Sequence, residues 1–285
     1  MTMTDATLLD HFQLPGGYWQ LLLKCPEIAH GARPGQFVHA RIPTLWKGAL
    51  RRPFSICKAE GDTLLILYKV VGKGTLALSK LQPGHCLNLI GPLGNGFPLP
   101  KFPSCGGVPE GTESRGRGGP LGGRDAAAPV PVLVGGGFGV APLLFLASRL
   151  PTRGLLFAGG RTAADILLAE EFQKIGWDVR FATEDGSLGM KGLVTNAIDE
   201  WLHGQSPTPD LEFFSCGPDG LLKAVGERAM RLGKKAWLSL DTHMGCGVGA
   251  CLACIQTLRN PDGTSRIGRV CKDGPVFESR EIVWD

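Results

Sequence analysis

Short runs of alternating apolar and polar residues, broken by Gly and Pro, dominate the first 100 residues of the chain. Alternation with a period of two predicts β-strands, and evenly spaced short strands are typical of an antiparallel barrel or sandwich. The pattern therefore predicts an all-β domain over residues 1–100. The clearest strands are YWQLLLKC, QFVHARI, TLLILYKVV and HCLNLIG.

From Val130 the pattern changes to apolar strands that alternate with helices of 3.6-residue periodicity. Strands that alternate with helices predict a parallel sheet covered by helices on both faces. We assign this α/β domain to residues 130–235. Its predicted strands are VPVLVGGG, GLLFAGG, DVRFATED and LEFFSCG, and its predicted helices are APLLFLASRL, DILLAEEFQKI, GLVTNAIDEWL and PDGLLKAVGERAMRL.

Two further segments complete the predicted organisation. Residues 101–129 are rich in Gly, Arg and Pro and nearly free of large apolar side chains, so they predict a flexible insertion between the domains. A phosphate-binding role for their glycines is disfavoured, because no strand precedes them and no helix follows. After KKAWLSL, residues 236–285 form a small module that contains a cysteine-rich loop.

Composition and charge narrow the class of protein. The 285 residues are 43% hydrophobic, which is enough for two cores and a small module. The net charge of +4 is small and scattered, so it does not indicate nucleic-acid binding. The N-terminal residues do not resemble a signal peptide, and no apolar run approaches a membrane span. We expect a protein of the cytoplasm that binds neither nucleic acid nor membrane.

The most specific chemical signal is a group of four cysteines near the C-terminus. Three lie in CGVGACLAC, and the C-x4-C-x2-C spacing followed by a later cysteine is that of a plant-type 2Fe–2S cluster. Zinc is the alternative, although zinc sites more often pair two CxxC-like knuckles. A thiolate-ligated cluster implies a reducing compartment and one-electron chemistry. The predicted ligands are Cys246, Cys251, Cys254 and Cys271.

Two motifs in the β-rich domain predict a flavin site. In RPFS, a guanidinium can bind a diphosphate and a hydroxyl can approach the flavin ring. In GKGT, Gly74 and Thr75 open a predicted helix whose free N–H groups suit an anion, although an ordinary turn is the alternative. Tyr68, in the strand before GKGT, either stacks on the flavin or packs in the core. The RPFS residues are Arg52, Pro53, Phe54 and Ser55.

Two motifs in the α/β domain predict a nicotinamide site. GGGFGVAP lies between a strand and a helix, where a diphosphate binds in doubly wound sheets, although it is not a GxGxxG fingerprint. SCGP ends another strand at the same sheet edge, so Cys216 faces the nicotinamide or fills a strand end as a small buried residue. Arg161 and Thr162 could accommodate a 2′-phosphate, which leaves NAD and NADP open. The cofactor-binding candidates are Gly135, Gly136, Gly137, Gly139, Gly217 and Pro218.

In this order, RPFS, GKGT, GGGFGVAP, SCGP and CGVGACLAC resemble the ferredoxin–NADP reductase superfamily. With the cysteine module at the C-terminus, nearly the whole chain is similar to the electron transfer subunits of class 1B dihydroorotate dehydrogenases. PGQF at 34–37, EDGSLGMKG at 184–192 and CKDGPVF at 271–277 extend the similarity. Two features depart from it: the glycine-rich insertion is longer, and SLDTHMGCG lacks the Glu and Arg usual before the first cysteine.

The resemblance implies an α+β multidomain fold with an antiparallel β-barrel FAD domain, an α/β NAD domain and a 2Fe–2S module. It implies that electrons pass between NAD(H), FAD, the cluster and the FMN of a separate dihydroorotate dehydrogenase catalytic subunit, in a hetero-oligomer such as a heterotetramer. That subunit would convert dihydroorotate to orotate in pyrimidine synthesis. The resemblance also adds Leu67, Tyr68 and Lys69 to the FAD-binding residues.

Two alternatives share some of these motifs. One is a flavin subunit of an NAD(P)H:ferredoxin or sulfide oxidoreductase or of a hydrogenase, which would carry the same cofactors but serve another partner. The other is a zinc-stabilised binding protein with a nucleotide domain that has lost its activity. Absorbance in the visible range distinguishes the two alternatives, because the zinc-stabilised protein would lack the flavin and iron–sulfur bands.

Overall fold

A computed structural model describes residues 1–43, 50–99, 129–205, 207 and 209–284 of the chain. The predicted insertion at 101–129 lies outside these residues, apart from Pro129. Within the described part, no helix is long and apolar enough to cross a membrane.

The first domain is a closed barrel of six antiparallel strands in the order β1-β2-β5-β4-β3-β6. Alternate side chains point inward, among them the buried Leu21, Leu23, Ile56 and Ile66, as the two-residue periodicity predicts. The sequence pattern did not predict β1, because few of its residues are buried. The strands are β1 (Thr2–Leu14), β2 (Tyr18–Lys24), β3 (Phe37–Arg41), β4 (Arg52–Glu60), β5 (Thr63–Lys69) and β6 (Cys86–Leu93), with helices α1 (Pro26–Ala29) and α2 (Lys73–Leu78).

The second domain is built on a seven-stranded sheet in the order β10-β9-β8-β7-β11-β12-β15. All neighbouring strands in it are parallel except β12 and β15, which are antiparallel. The α/β prediction is therefore confirmed. The strands are β7 (Val130–Gly136), β8 (Leu155–Gly160), β9 (Asp178–Thr183), β10 (Met190–Lys191), β11 (Leu211–Cys216), β12 (Lys235–Ser239) and β15 (Val276–Glu278), and the helices are α3 (Val140–Arg149), α4 (Ala169–Lys174), α5 (Val194–His203) and α6 (Asp219–Arg231).

The helix predicted at 165–175 is shorter in the structure. Residues Ala163–Asp165 form a 3-10 turn, and α4 begins at Ala169 after Leu168, whose φ of 58° is left-handed. The Asp165 carboxylate accepts hydrogen bonds from the backbone N–H groups of Arg161 and Thr162, at 3.2 Å each. This local cap competes with helix formation and separates the turn from α4.

The cysteine module shares strands with the sheet. It consists of the loop after β12, a hairpin of β13 (Ile255–Arg259) and β14 (Ser265–Arg269), and the short helix α7 (Val270–Asp273). β15 then returns to pair with β12. The predicted boundary between residues 235 and 236 falls inside β12, the strand that pairs with both β11 and β15.

The barrel and the sheet pack directly on each other. Phe145 of α3 is buried among side chains of the barrel core, and Tyr18 and Leu67 of the barrel are buried with α3. This packing brings the RPFS strand β4 and the glycine-rich end of β7 to the same part of the molecule.

Candidate functional site

The three loop cysteines lie between β12 and β13, and the fourth lies in α7. Gly247 and Gly249 adopt φ of +73° and +84°, a left-handed conformation that favours glycine. These turns direct backbone N–H groups toward one sulfur. Val248, Ala250 and Cys251 each donate to Sγ of Cys246, at 3.4, 3.2 and 3.4 Å.

The four thiols form two pairs. The N–H of Cys246 donates to Sγ of Cys251, and the N–H of Cys271 donates to Sγ of Cys254, at 3.4 Å each.

This pairing fits a binuclear cluster, in which each iron takes two thiolates. A single zinc ion instead takes four donors around one point. The pair formed by Cys246 and Cys251 lies near the surface, whereas Cys254 and Cys271 are 2% and 1% exposed. The cluster that the residues fit would thus have one solvent-facing side and one side against the protein core.

The two sides of the cluster site differ in electrostatics. Burial opposes ionisation of Cys246, but the N–H donors of Val248, Cys251 and Ala250 outweigh it and lower its pKa to about 6. Burial, together with the hydrogen bond and charge of Cys254, raises the pKa of Cys271 to about 12. Cys246 is therefore prepared as a thiolate before any metal arrives, whereas Cys271 loses its proton on metal binding.

The RPFS residues begin β4 and pair with β3, with Pro53 opposite His39 and Ser55 opposite Phe37. Phe54 points into the barrel and is 8% exposed. Arg52, Pro53 and Ser55 are half-buried at the barrel surface. The side chains of these three residues, rather than the Phe54 ring, are accessible to a bound group.

Arg52 lies against the start of α2. A Cβ added to Gly74 would lie 3.0 Å from Nε of Arg52, so the guanidinium packs on the glycine backbone. The Thr75 hydroxyl accepts the N–H groups of Val71 and Gly72, at 2.9 and 3.2 Å, and orders this turn. The structure thus brings together a fixed cation and a helix start, the two features that the sequence predicted for a diphosphate site.

The residues of β5 alternate between the barrel interior and its surface. Tyr68 is buried inside, with its ring edge-on to Phe54 and its hydroxyl 2.9 Å from Nε2 of His11. Its ring is therefore packed in the core, which is the alternative that the sequence left open. Leu67 and Lys69 face the second domain instead.

The glycine-rich end of β7 and the SCGP end of β11 are in direct contact. A Cβ on Gly139 would lie 2.2 Å from the carbonyl oxygen of Cys216, and one on Gly136 would lie 3.0 Å from Cδ of Pro218. A hydrogen bond of 2.9 Å from the Ser215 hydroxyl to the Val134 carbonyl joins β11 and β7 just before these ends. Glycine is thus required by close approach, and the two predicted halves of the nicotinamide site form one surface.

Cys216 is 7% exposed at the end of β11. Burial, then the charge of Asp241, raises the pKa of its thiol to about 12. Cys216 is therefore a neutral thiol at physiological pH and is not prepared as a nucleophile. In this position it fills the end of β11 as a small buried side chain.

Asp241 is a further acidic residue whose charge acts on Cys216, and no sequence motif indicated it. Burial raises the pKa of its carboxyl, His243 lowers it and Asp219 raises it. Asp241 follows β12, the neighbour of β11, so it lies at the same carboxyl edge of the sheet as Cys216. The strand order, which periodicity does not reveal, is the signal that would have found it.

Comparisons with known proteins agree with this geometry. The family model of the iron–sulfur cluster binding domain of dihydroorotate dehydrogenase B matches residues 241–283. The chain is 38% identical over 270 residues to the dihydroorotate dehydrogenase B (NAD(+)) electron transfer subunit of Geobacillus thermodenitrificans (strain NG80-2), covering 93% of this chain and 92% of the relative. It is 33% identical over 291 residues to the subunit of the same name from Bacillus cereus (strain B4264), covering 99% of both.

Solved structures share the fold. An NADH-dependent reduced ferredoxin-NADP oxidoreductase matches with a TM-score of 0.79 and 27% identity, over 98% of this chain and 90% of the other. A ferredoxin NADP+ reductase from Neisseria gonorrhoeae with bound FAD and NADP matches with a TM-score of 0.59 and 19% identity, over 81% and 92%. The second likeness concerns the fold alone.

Proposed function

The chain belongs to the family of dihydroorotate dehydrogenase B (NAD(+)) electron transfer subunits, and we propose that it transfers electrons between NAD(H) and a catalytic partner subunit through FAD and a 2Fe–2S cluster. The partner would carry FMN and interconvert dihydroorotate and orotate in pyrimidine synthesis. The chain itself is an NAD-linked oxidoreductase subunit without dihydroorotate chemistry.

The arrangement of the four cysteines carries this proposal. Two thiol pairs lie in one module, and three N–H groups are already directed at Sγ of Cys246. Such hydrogen bonds stabilise a thiolate and tune the potential of a bound cluster. We assign Cys246, Cys251, Cys254 and Cys271 as the ligands.

Arg52 and the start of α2 are assigned to the diphosphate of FAD. The guanidinium and the glycine backbone already lie against each other, which places the cation beside the helix start where a phosphate would bind. Ser55 is assigned to the flavin ring. Pro53, Phe54, Leu67, Tyr68, Lys69, Gly74 and Thr75 complete the FAD assignment, with Phe54 and Tyr68 contributing backbone rather than ring contacts.

The joined ends of β7 and β11 are assigned to NAD(H). Glycines there let a diphosphate approach the backbone at the carboxyl edge of a parallel sheet. Cys216 borders the nicotinamide as a neutral thiol, and Asp241 lies beside it. The assigned residues are Gly135, Gly136, Gly137, Gly139, Gly217 and Pro218.

The residues assigned to FAD, NAD(H) and the cluster hold these cofactors in place and do not themselves take part in the redox reaction. Bound FAD exchanges a hydride with the nicotinamide and single electrons with the cluster, so the redox chemistry belongs to the cofactors. The packing of α3 on the barrel holds the two binding surfaces at a fixed relation. Hydride transfer needs no general base, which agrees with the high pKa of Cys216.

We propose a cytoplasmic hetero-oligomer as the working form. A thiolate-ligated cluster is compatible with a reducing compartment. The chain needs a partner, because its assigned residues provide electron carriers and no site for dihydroorotate.

A second candidate is a flavin subunit that exchanges electrons with ferredoxin. Its support is the TM-score of 0.79 to the NADH-dependent reduced ferredoxin-NADP oxidoreductase. Both candidates use the same carriers in the same order and differ in the partner that docks beside the cluster.

Co-expression with the catalytic subunit tests the proposal. The expected result is a stable complex that reduces NAD+ when dihydroorotate is supplied, and that loses this activity when Cys251 is replaced by Ala. The matched control is Cys86→Ala, because Cys86 is an exposed thiol on the barrel strand β6. No complex, together with NADH-driven reduction of a ferredoxin, would favour the second candidate.

A further inference from the structure

His39 is a barrel residue that contacts the cluster loop. It lies on β3 opposite Pro53 of the flavin motif and is completely buried. Its Nδ1 is 3.2 Å from the carbonyl oxygen of Cys246. Because a carbonyl only accepts hydrogen bonds, Nδ1 carries the hydrogen and donates it. One imidazole ring thus joins the strand pair of the flavin motif to the backbone of a cluster ligand.

The loop is shaped to receive this ring. Gly247, which follows the ligand, has a φ of +73°, and a Cβ there would lie 2.6 Å from Nδ1 of His39. Any other residue type would be strained in this conformation and would push the ring away. The sequence of the loop therefore preserves a close approach of the Cys246 carbonyl to the barrel.

The other side of the cluster site has a separate contact with the barrel. The Asn95 side chain, after β6, donates to the carbonyls of Lys272 and Asp273 at 3.3 and 3.0 Å. These residues follow Cys271 in α7. Barrel residues thus contact both sides of the cluster site, with His39 on the Cys246 side and Asn95 on the Cys271 side.

The two ring nitrogens of His39 differ in their contacts. Nε2 of His39 is buried and has no hydrogen-bond partner among the described residues. A buried polar atom without a partner is unfavourable, so an apolar side chain of similar size would suit the interior better. Nδ1, by contrast, makes the hydrogen bond to the Cys246 carbonyl, so the described polar contact of the ring is the one with the cluster loop.

We propose that His39 is a positioning residue that holds the Cys246 side of the cluster loop against the flavin-binding strands and so fixes the separation of the two redox sites. The proposal rests on the proposed function. It adds a residue that the motifs did not indicate and that touches the backbone of a cluster ligand rather than a cofactor. Since electron transfer slows steeply with distance, loosening this contact should slow the step between flavin and cluster.

Three variants of the cofactor-loaded chain test the role. His39→Leu removes the donor and fills the space, His39→Asn keeps an amide N–H near the position of Nδ1, and His85→Leu is the control. His85 is an exposed barrel histidine whose ring nitrogen contacts Gln82. The measurements are thermal unfolding, amide hydrogen exchange over residues 245–250, the EPR spectrum of the reduced cluster, and the rates of flavin and cluster reduction by NADH.

The expected result is selective. His39→Leu should unfold at no lower temperature than the parent chain, exchange the loop amides faster and shift the EPR spectrum. Its cluster should be reduced about 10-fold more slowly, the size of effect typical of residues that orient metal ligands. Flavin reduction by NADH should be unchanged, and His39→Asn should recover most of the exchange protection.

Either of two results would overturn the role. One is loop exchange and cluster reduction in His39→Leu equal to those of His85→Leu. The other is a parallel loss of flavin reduction and thermal stability, which marks a general structural residue. Failure of the parent chain to reduce its cluster with NADH would instead count against the proposed function, and the exchange measurement would still test the contact.

Discussion

The hydroxyl of Tyr18 donates a 2.7 Å hydrogen bond to the carboxylate of Asp165, which joins the barrel to the turn after β8. The Lys69 ammonium donates to the Tyr18 hydroxyl oxygen at 3.2 Å and to Oδ1 of Asp165 at 3.3 Å. It also lies 4.3 Å from the centre of the Tyr18 ring. A predicted FAD residue is thus tied to the second domain. The side chains of Tyr18, Lys69 and Asp165 thus help to hold the two predicted nucleotide sites in a fixed relative position.

Replacing Tyr18 with Phe should lower the free energy of unfolding by about 1–2 kcal/mol, because it removes a hydrogen bond to a charged acceptor and keeps the ring. Urea unfolding measures this loss. Tyr68→Phe is the matched comparison, since its hydroxyl pairs with His11 inside the barrel and does not bridge the domains. If only Tyr18→Phe increases the rate at which the barrel and the second domain come apart, the lost stability lies at the contact between the two domains.

The stability that this group contributes should depend on pH at both extremes. Although burial raises the pKa of Asp165, hydrogen bonds from Tyr18, Thr162 and Lys69 outweigh it and hold the pKa below the ordinary 3.8. Its contribution is present above pH 3.8 and is lost as pH falls through the folded pKa. The pKa of Lys69 is raised above the ordinary 10.5, chiefly by its hydrogen bond to Tyr18. The contribution of Lys69 is therefore complete below pH 10.5 and is lost as pH rises through the raised pKa of the folded state.

The measurement is the difference in free energy of unfolding between the parent chain and Asp165→Asn. This difference should be constant between about pH 5 and pH 9 and should shrink outside that window. A difference that changes between these limits would contradict the assignment of the ionised pair.

Gly139→Ala should prevent the β7 loop from contacting β11. The added Cβ would lie 2.2 Å from the Cys216 carbonyl, so the backbone of one strand end must move. We expect about 10-fold or greater weakening of NADH binding, measured by titration of flavin quenching, since a shift of an ångström at such a site is costly. Gly220→Ala in α6 is the control, because its Cβ meets no atom within 4 Å. Equal NADH affinity in both variants would remove this loop from the site.

Arg52→Ala should release FAD. Charge-assisted hydrogen bonds contribute about 1.5–3 kcal/mol each, so the dissociation constant of FAD should rise about 10- to 100-fold. Arg231→Ala on the exposed side of α6 is the control for loss of a positive charge. The flavin content of the purified variants and their FAD affinity by fluorescence check the result, and a full flavin complement in Arg52→Ala would contradict the assignment.

The sequence predicted those parts of the fold that depend on nearby residues, namely the strands with alternating side chains and the glycine-rich loops. The barrel strands β2, β3, β5 and β6 follow from alternating apolar and polar residues, and the end of β7 follows from glycines between a strand and a helix. Asp241 and His39 could not be predicted in the same way. Their roles depend on neighbours distant in the chain, such as β11 for Asp241 and the loop 207 residues away for His39.

Tyr68 shows a different limit. An aromatic residue beside a flavin motif suits stacking and core packing equally, and the choice depends on which face of β5 is turned inward. The structure turns Tyr68 inward toward Phe54 and His11. The helix predicted at 165–175 begins later in the structure for a local reason, because the Asp165 carboxylate caps the preceding turn.

Anaerobic titration of the purified chain with NADH, followed by visible absorbance and EPR, tests the central claim most directly. The account predicts that flavin bleaching is accompanied by the EPR signal of a reduced 2Fe–2S cluster. In Cys251→Ala the flavin should still bleach without that signal, whereas Cys86→Ala should behave as the parent chain. Four thiols that hold zinc, or a cluster that stays oxidised while the flavin is fully reduced, would contradict it.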